Sequence, residues 1–140
     1  MAGPTYQSPP GGHPAQTELT TSRAIFTEAY AVIPHSVMRD IVTSLLPGWE
    51  KTRAWILARP LSGFAETFAQ YAMEVEPGGG STAPEPDETA QAALFVQAGE
   101  IEVTVAGETQ RMKPGGFAYL PPASGWTLRT AGSEPARFMW

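Results

Sequence analysis

Cysteine is absent from the 140-residue chain. No disulfide can staple the fold, and no thiolate can hold a metal. Histidine is almost absent as well, with only His13 and His35. A lone imidazole holds no metal tightly without partners, so His35 reads as a structural or surface residue and His13 as a solvated one. Lys and Arg total 9 and form no cluster, while Asp and Glu total 14. The formal charge of −5 and the missing basic patch argue against binding to nucleic acid or to an anionic membrane surface. No segment approaches the roughly 20 apolar residues of a spanning helix, and no secretory apolar core is visible. The reading is a soluble, cytoplasmic chain. No Gly-x-Ser-x-Gly sequence supports a serine nucleophile. Gly78, Gly79 and Gly80 precede no helix, so they read as a flexible turn and not as a phosphate cradle.

Apolar residues make up 42% of the chain, enough for a core in one domain of ordinary size. Charged residues are only 16%, low for a helical protein and ordinary for a β-rich one. Gly and Pro number 14 each, a density that breaks long helices and favours short strands joined by turns. Residues 1–19 are rich in Pro, Gly and small polar groups. They bury too little apolar area to offset ordering and are expected to form a mobile tail.

Beyond the tail, residues 29–33 form a short apolar run that stops at Pro34 and reads as a strand or extended segment. Residues 35–47 carry Val37, Ile41 and Leu45 at helical spacing, but β-branched residues and the bracketing Pro34 and Pro47 favour a loop and strand. Residues 52–58 read as a strand. Residues 64–76 alternate over part of their length; a helix is possible, but aromatic content and the following Pro-Gly-Gly-Gly favour a strand. Further strands are expected at 92–97, 100–106, 107–112, 116–120, 125–130 and 137–140. The clearest is the alternation of Ile101, Val103 and Val105 with Glu100, Glu102 and Thr104. Short strands at this spacing indicate an all-β sandwich or closed barrel. The apolar ending Arg-Phe-Met-Trp reads as a strand after which a further element would follow.

The segment from Phe95 (Phe-Val-Gln-Ala-Gly-Glu-Ile-Glu-Val) and the later Lys113-Pro-Gly-Gly-Phe-Ala-Tyr-Leu-Pro-Pro122 resemble the cupin superfamily. Gly99 would allow the tight turn between two strands. Pro114 and Gly116 would turn the chain into the next strand, and Pro121-Pro122 would end it at a barrel rim. The resemblance implies a single cupin, a double-stranded β-helix or jelly-roll barrel, over residues 20–140. In a metal-binding cupin the first motif supplies two histidines and then a glutamate, and the second supplies a third histidine. Such imidazole and carboxylate groups converge on a borderline cation. Here the counterpart positions hold Glu85 and Asp87, then Gln91 or Ala92, then Trp126. Glu85, Asp87 and Glu88 could serve a hard cation, or form a solvated acidic loop, or face a substrate or partner. Trp126 is expected to plug the barrel mouth with apolar bulk. The candidate mouth-lining set is Glu85, Asp87, Gln91, Tyr119 and Trp126, with no catalytic and no metal-ligating residue. Trp49, Trp55 and Trp140 with Phe64, Phe68, Phe95 and Phe117 could line a pocket, but core packing or interface burial is the favoured reading.

A closer resemblance covers residues from about 22 to the end. Arg23-Ala-Ile, Val32-Ile-Pro-His, the Leu-Leu-Pro-Gly-Trp-Glu stretch at 45–50, Ile56-Leu-Ala-Arg-Pro and Phe68-Ala-Gln-Tyr are similar to the N-terminal half of the (S)-ureidoglycine aminohydrolase family. That family consists of two-cupin enzymes of allantoin degradation. The resemblance implies hydrolysis of ureidoglycine to ureidoglycolate with release of ammonia. It also implies manganese in the C-terminal cupin and none in the half matched here. No catalytic residue carries over. The implied partners are a second cupin module and further copies in a homo-oligomer, with the chain acting as scaffold and inactive alone. The alternative is a stand-alone, metal-free cupin that binds a small ligand or a protein partner. An independent metalloenzyme is disfavoured by the missing imidazoles. A barrel parted from its partner would expose apolar surface, so self-association or poor solubility is expected.

Overall fold

A computed structural model describes residues 24–27, 30–34, 45–59 and 67–140. The expectations for the 1–19 tail, His13, His35, Phe64 and most of the 35–47 segment fall outside the described residues. Within them the chain forms ten strands and no helix, as the density of Gly and Pro requires. It divides into two compact units.

The first unit contains β1 (Ile25–Phe26), β2 (Ala31–Val32) and residues 55–58 of β3 (Trp49–Ala58). β1 and β2 form a two-stranded antiparallel ribbon with Ile25 opposite Val32. Thr27 closes the connection, its hydroxyl donating to the Tyr30 carbonyl at 3.0 Å and accepting from the Tyr30 N–H at 2.9 Å. Ile25 and Val32 are exposed, whereas Trp55 and Ala58 are buried.

The second unit contains residues 49–54 of β3 and then β4 (Gln70–Ser81), β5 (Ala92–Ala98), β6 (Ile101–Val105), β7 (Glu108–Met112), β8 (Phe117–Leu120), β9 (Thr127–Thr130) and β10 (Ala136–Met139). One sheet runs in the order β7-β6-β9-β4-β10-β5-β8, and β3 pairs with β4 beside that path. Along that path the neighbouring strands pair antiparallel. The sheet curls into a nearly closed barrel, with β7 and β8 at its two ends.

Side-chain alternation explains the barrel interior. In β5, Ala92, Leu94 and Val96 are buried while Ala93, Phe95 and Gln97 are exposed. Ile101 and Val103 of β6, Met73 and Val75 of β4, Leu128 of β9 and Phe138 of β10 complete the same core. Each fully buried side chain of this size contributes about 1.5–3 kcal/mol through water exclusion.

The structure corrects the reading of Gly78, Gly79 and Gly80 as a turn. β4 continues through them to Ser81. Gly80 pairs with Arg129 of β9, and a Cβ on Gly80 would lie 2.0 Å from the Leu128 carbonyl oxygen. The glycine is there so that two backbones can approach, which a strand interior sometimes demands. Of the aromatic residues expected in the core or at an interface, Trp49 and Trp140 pack against the core. Phe68, Phe95 and Phe117 instead remain exposed, because Phe95 and Phe117 take the outward phase of their strands. The turn at Gly99 agrees with its expectation: φ is 66° between β5 and β6.

Candidate functional site

The pairing of β5 with β8 brings two loops to one end of the barrel. Ala92 lies opposite Leu120. Chain that precedes Ala92 therefore meets chain that follows Leu120. A cavity of about 300 Å³ forms there, lined by Glu85, Asp87 and Glu88 from one loop and by Pro121, Ser124 and Trp126 from the other.

The acidic side of this cavity is internally hydrogen-bonded. Asp87 Oδ1 accepts from the Thr89 hydroxyl at 2.7 Å and from the Thr89 N–H at 2.8 Å. The Asp87 N–H donates to Glu85 Oε1 at 2.9 Å. The Thr89 hydroxyl, followed by the Thr89 N–H, holds the Asp87 carboxyl below its usual value; slight desolvation opposes this. This is a side-chain-closed turn of the kind Asp favours. Among the described residues, no three His, Cys, Asp or Glu side chains form a group that could hold a metal ion.

Trp126 forms the opposite wall. It is 5% exposed, and its ring meets Trp140 edge-on with centroids 5.8 Å apart. Trp140 also packs against Trp49 at 5.5 Å and Tyr71 at 5.1 Å. Reciprocal backbone bonds between Tyr71 and Trp140, 2.6 and 2.9 Å long, fix the last pair. Trp49 also reaches Phe138 at 6.3 Å. The cavity is thus backed by an aromatic cluster, with each ring pair near the preferred separation. Within it the Trp49 indole N–H is buried without a hydrogen-bond partner, and so is the Ser124 hydroxyl at the cavity wall.

The five residues singled out from sequence separate into two groups. Glu85, Asp87 and Trp126 line this cavity. Gln91 and Tyr119 instead bind each other, the Tyr119 hydroxyl donating to Gln91 Oε1 at 2.7 Å. Tyr119 also borders a different cavity of about 500 Å³ beside Val103, Val105, Met112, Ala118 and Leu120. That space lies where β8 faces β6 and β7, the open seam of the sheet. Sequence reading missed Ser124. Its only signal was its place between Pro122 and Trp126, in a segment already tied to the barrel rim.

The arrangement offers an acidic rim, an indole wall and one unsatisfied hydroxyl. Among the described residues it assembles no group of three potential metal ligands. Trp126 carries no lone pair suited to manganese, and Glu85 and Asp87 each commit an oxygen to the turn, so these residues do not fit that ion.

Comparison with known proteins places this geometry among relatives. A family model for the cupin domain matches residues 71–140. The (S)-ureidoglycine aminohydrolase of Escherichia coli K12, a hydrolase, is 30% identical over 97 residues, spanning 69% of this chain and 36% of that protein. A solved structure of a protein named as glyoxylate-induced, from Pseudomonas aeruginosa, is 52% identical with a TM-score of 0.80, covering 99% of this chain and 49% of that one. The protein Ylba from E. coli is 26% identical with a TM-score of 0.74, covering 90% of this chain and 50% of that one. The chain therefore spans half or less of the length of each of these three relatives.

Proposed function

The chain belongs to the cupin domain family, and on that premise we propose that it is the module without metal ligands of a ureidoglycine aminohydrolase-type assembly. Its role in that assembly is scaffolding. It packs against a second, manganese-binding cupin module and joins further copies into an oligomer. The chemistry, hydrolysis of ureidoglycine to ureidoglycolate with release of ammonia, takes place in the second module. The chain alone is inactive.

Trp126 is the observation that carries this reading. The second cupin motif calls for a histidine at its position, and the chain fills it with an indole locked edge-on against Trp140. A residue built into an aromatic core serves packing. The similarity to the E. coli aminohydrolase supports the activity proposed for the assembly.

A second reading has one observation in its favour. The cavity beside Trp126 is large enough for a small ligand, and the Ser124 hydroxyl there is buried without a partner. In that reading the chain is a stand-alone, metal-free cupin that binds a small polar molecule.

The test compares the 140-residue chain with the same chain combined with any histidine-bearing cupin encoded beside it. Manganese content and ammonia release from ureidoglycine are measured for both. Manganese and turnover in the combined protein alone support the scaffold reading. Manganese and turnover in the short chain would refute it and direct mutagenesis to Glu85, Asp87 and Glu88.

A further inference from the structure

β8 is a terminal strand of the sheet. Its outward residues, Phe117 and Tyr119, are 66% and 55% exposed, and Phe95 of the neighbouring β5 is 46% exposed. Phe95 lies opposite Phe117 and Ala93 opposite Tyr119 in the β5–β8 register. Met139 of β10 lies opposite Phe95 on its other side. The outcome is a belt of Met139, Phe95 and Phe117 across three strands, with Tyr119 beside it. Neither β5 nor β8 contains a charged residue. Exposed strands ordinarily carry Lys, Glu or Pro to discourage association. Contiguous exposed aromatic area of this kind marks an interface.

The two ends of the belt differ in charge. At one end the chain entering β8 begins with the exposed Lys113, and the Gly115 and Gly116 amides nearby are tied to Val96 and Lys113. At the other end Pro121 shares its cavity with Glu85, Asp87 and Glu88. Basic start and acidic finish along one uncharged strip are self-complementary under a twofold axis. If two copies lay their strips together with the β8 strands antiparallel, Lys113 of each points toward the acidic loop of the other.

We propose that the outer face of β5 and β8 binds a second copy of this chain as a twofold-symmetric dimer. Phe95, Phe117 and Tyr119 form its apolar centre, and Lys113 pairs with the partner's acidic loop at each rim. The same patch appears on both subunits, as a closed twofold dimer requires. The apolar strip supplies affinity, and the rim charges set the antiparallel orientation. Two acidic chains of charge −5 repel one another in most orientations, and this one brings opposite charges together. The proposal deepens the scaffold reading by naming the face and its occupant, and it rests on that reading for the expectation that the module associates.

Sedimentation equilibrium on the intact chain tests it. The wild type is expected at twice the 15.0 kDa chain mass. Phe117→Glu inserts a charge into the apolar centre and is expected to weaken the dimer by about 100-fold or more, since buried aromatic contacts of this kind dominate interfaces. Lys113→Glu weakens it by roughly 10-fold, and adding Glu88→Lys restores it, because the two charges exchange places. These positions are exposed, so circular dichroism should be unchanged. A wild-type monomer at ~100 μM, a dimer indifferent to Phe117→Glu, or no rescue in the charge-exchange pair would each overturn the proposal. A monomer that binds a companion cupin through Phe117 would also overturn the second-copy assignment while leaving the scaffold reading intact.

Discussion

Arg137 of β10 and Glu74 of β4 are register partners, and Arg137 Nε donates to Glu74 Oε2 at 2.8 Å. The Glu74 side chain is only 5% exposed, and a buried polar group of this kind is costly without hydrogen-bond donors. The second donor is Arg53 of β3, whose guanidinium binds Glu74 Oε1. One carboxylate thereby ties together three strands that enter the sheet from distant parts of the sequence.

Glu74→Gln is expected to destabilise the chain by about 2–3 kcal/mol, since the amide keeps one acceptor oxygen, turns the other into an NH2 facing an arginine, and removes the charge that both guanidinium groups bind. Arg137→Ala should cost less, about 1 kcal/mol, because Arg53 still binds Glu74 and the Arg137 side chain is 53% exposed. Urea titration of the three proteins checks the order. Equal effects would mean that the two arginines do not share the carboxylate as described.

Gly80→Ala is expected to be damaging at a position with no side chain to lose. The new Cβ would meet backbone atoms of Leu128 and Arg129, which cannot rotate away, and φ at Gly80 is 142°. Overpacking of this kind costs about 1–3 kcal/mol, and the backbone strain adds to it. A fall in Tm of roughly 10 °C is expected by calorimetry for a chain of this size. Gly107→Ala, where an added Cβ meets nothing within 4 Å and only the positive φ of 83° adds strain, should fall by less.

These two sites show why sequence reading succeeded in parts and failed in others. Alternation made β6 legible, because Ile101 and Val103 face the core while Glu102 and Thr104 do not. The sharp turns made most strand ends legible within a residue or two. Gly78, Gly79 and Gly80 were misjudged because a glycine that permits close strand approach has the same letters as one that permits a turn. Phe95 and Phe117 were left between core and interface because apolar character alone does not give the phase of a strand, and both take the outward one. The ion triad of Arg53, Glu74 and Arg137 could not be foreseen, since its members lie far apart in the chain and meet only through the β3-β4-β10 pairing. At the site, motif spacing located Glu85, Asp87 and Trp126. It gave no indication that Gln91 would bind Tyr119.

The pH response of the acidic loop follows from Asp87. Its folded pKa lies below the ordinary value of 3.8, chiefly through the Thr89 hydroxyl. The carboxylate form therefore favours the folded loop above the unfolded pKa, and that contribution is lost as pH falls through the lower folded value. Thr89→Val removes the hydroxyl donor and leaves the Thr89-position N–H. The Asp87 titration, followed by NMR of its carboxyl carbon, should shift upward toward 3.8. An unmoved titration would show that the backbone donor alone sets the value.

Trp126 is packed into the aromatic cluster at a position where the second cupin motif has a histidine, and two substitutions separate packing from metal binding. Trp126→Ala removes an indole that is 5% exposed and opens the cavity toward Trp140. A loss of about 3–5 kcal/mol is expected, as for other buried aromatic truncations, with a weakened near-ultraviolet signal from the ring cluster. Trp126→His places an imidazole where the second cupin motif expects one. If the indole were all that stands against metal binding here, this change would create a site together with Glu85 and Asp87. Those carboxylates, however, accept hydrogen bonds from the Asp87 and Thr89 amides and the Thr89 hydroxyl, and an ion would have to displace these bonds with a single imidazole as compensation. The histidine variant is therefore expected to retain no manganese after gel filtration, judged by electron paramagnetic resonance, in samples that circular dichroism shows to be folded. Retained manganese would mean that the acidic loop is free to rearrange, and that the indole of Trp126 is what stands against metal binding at this position.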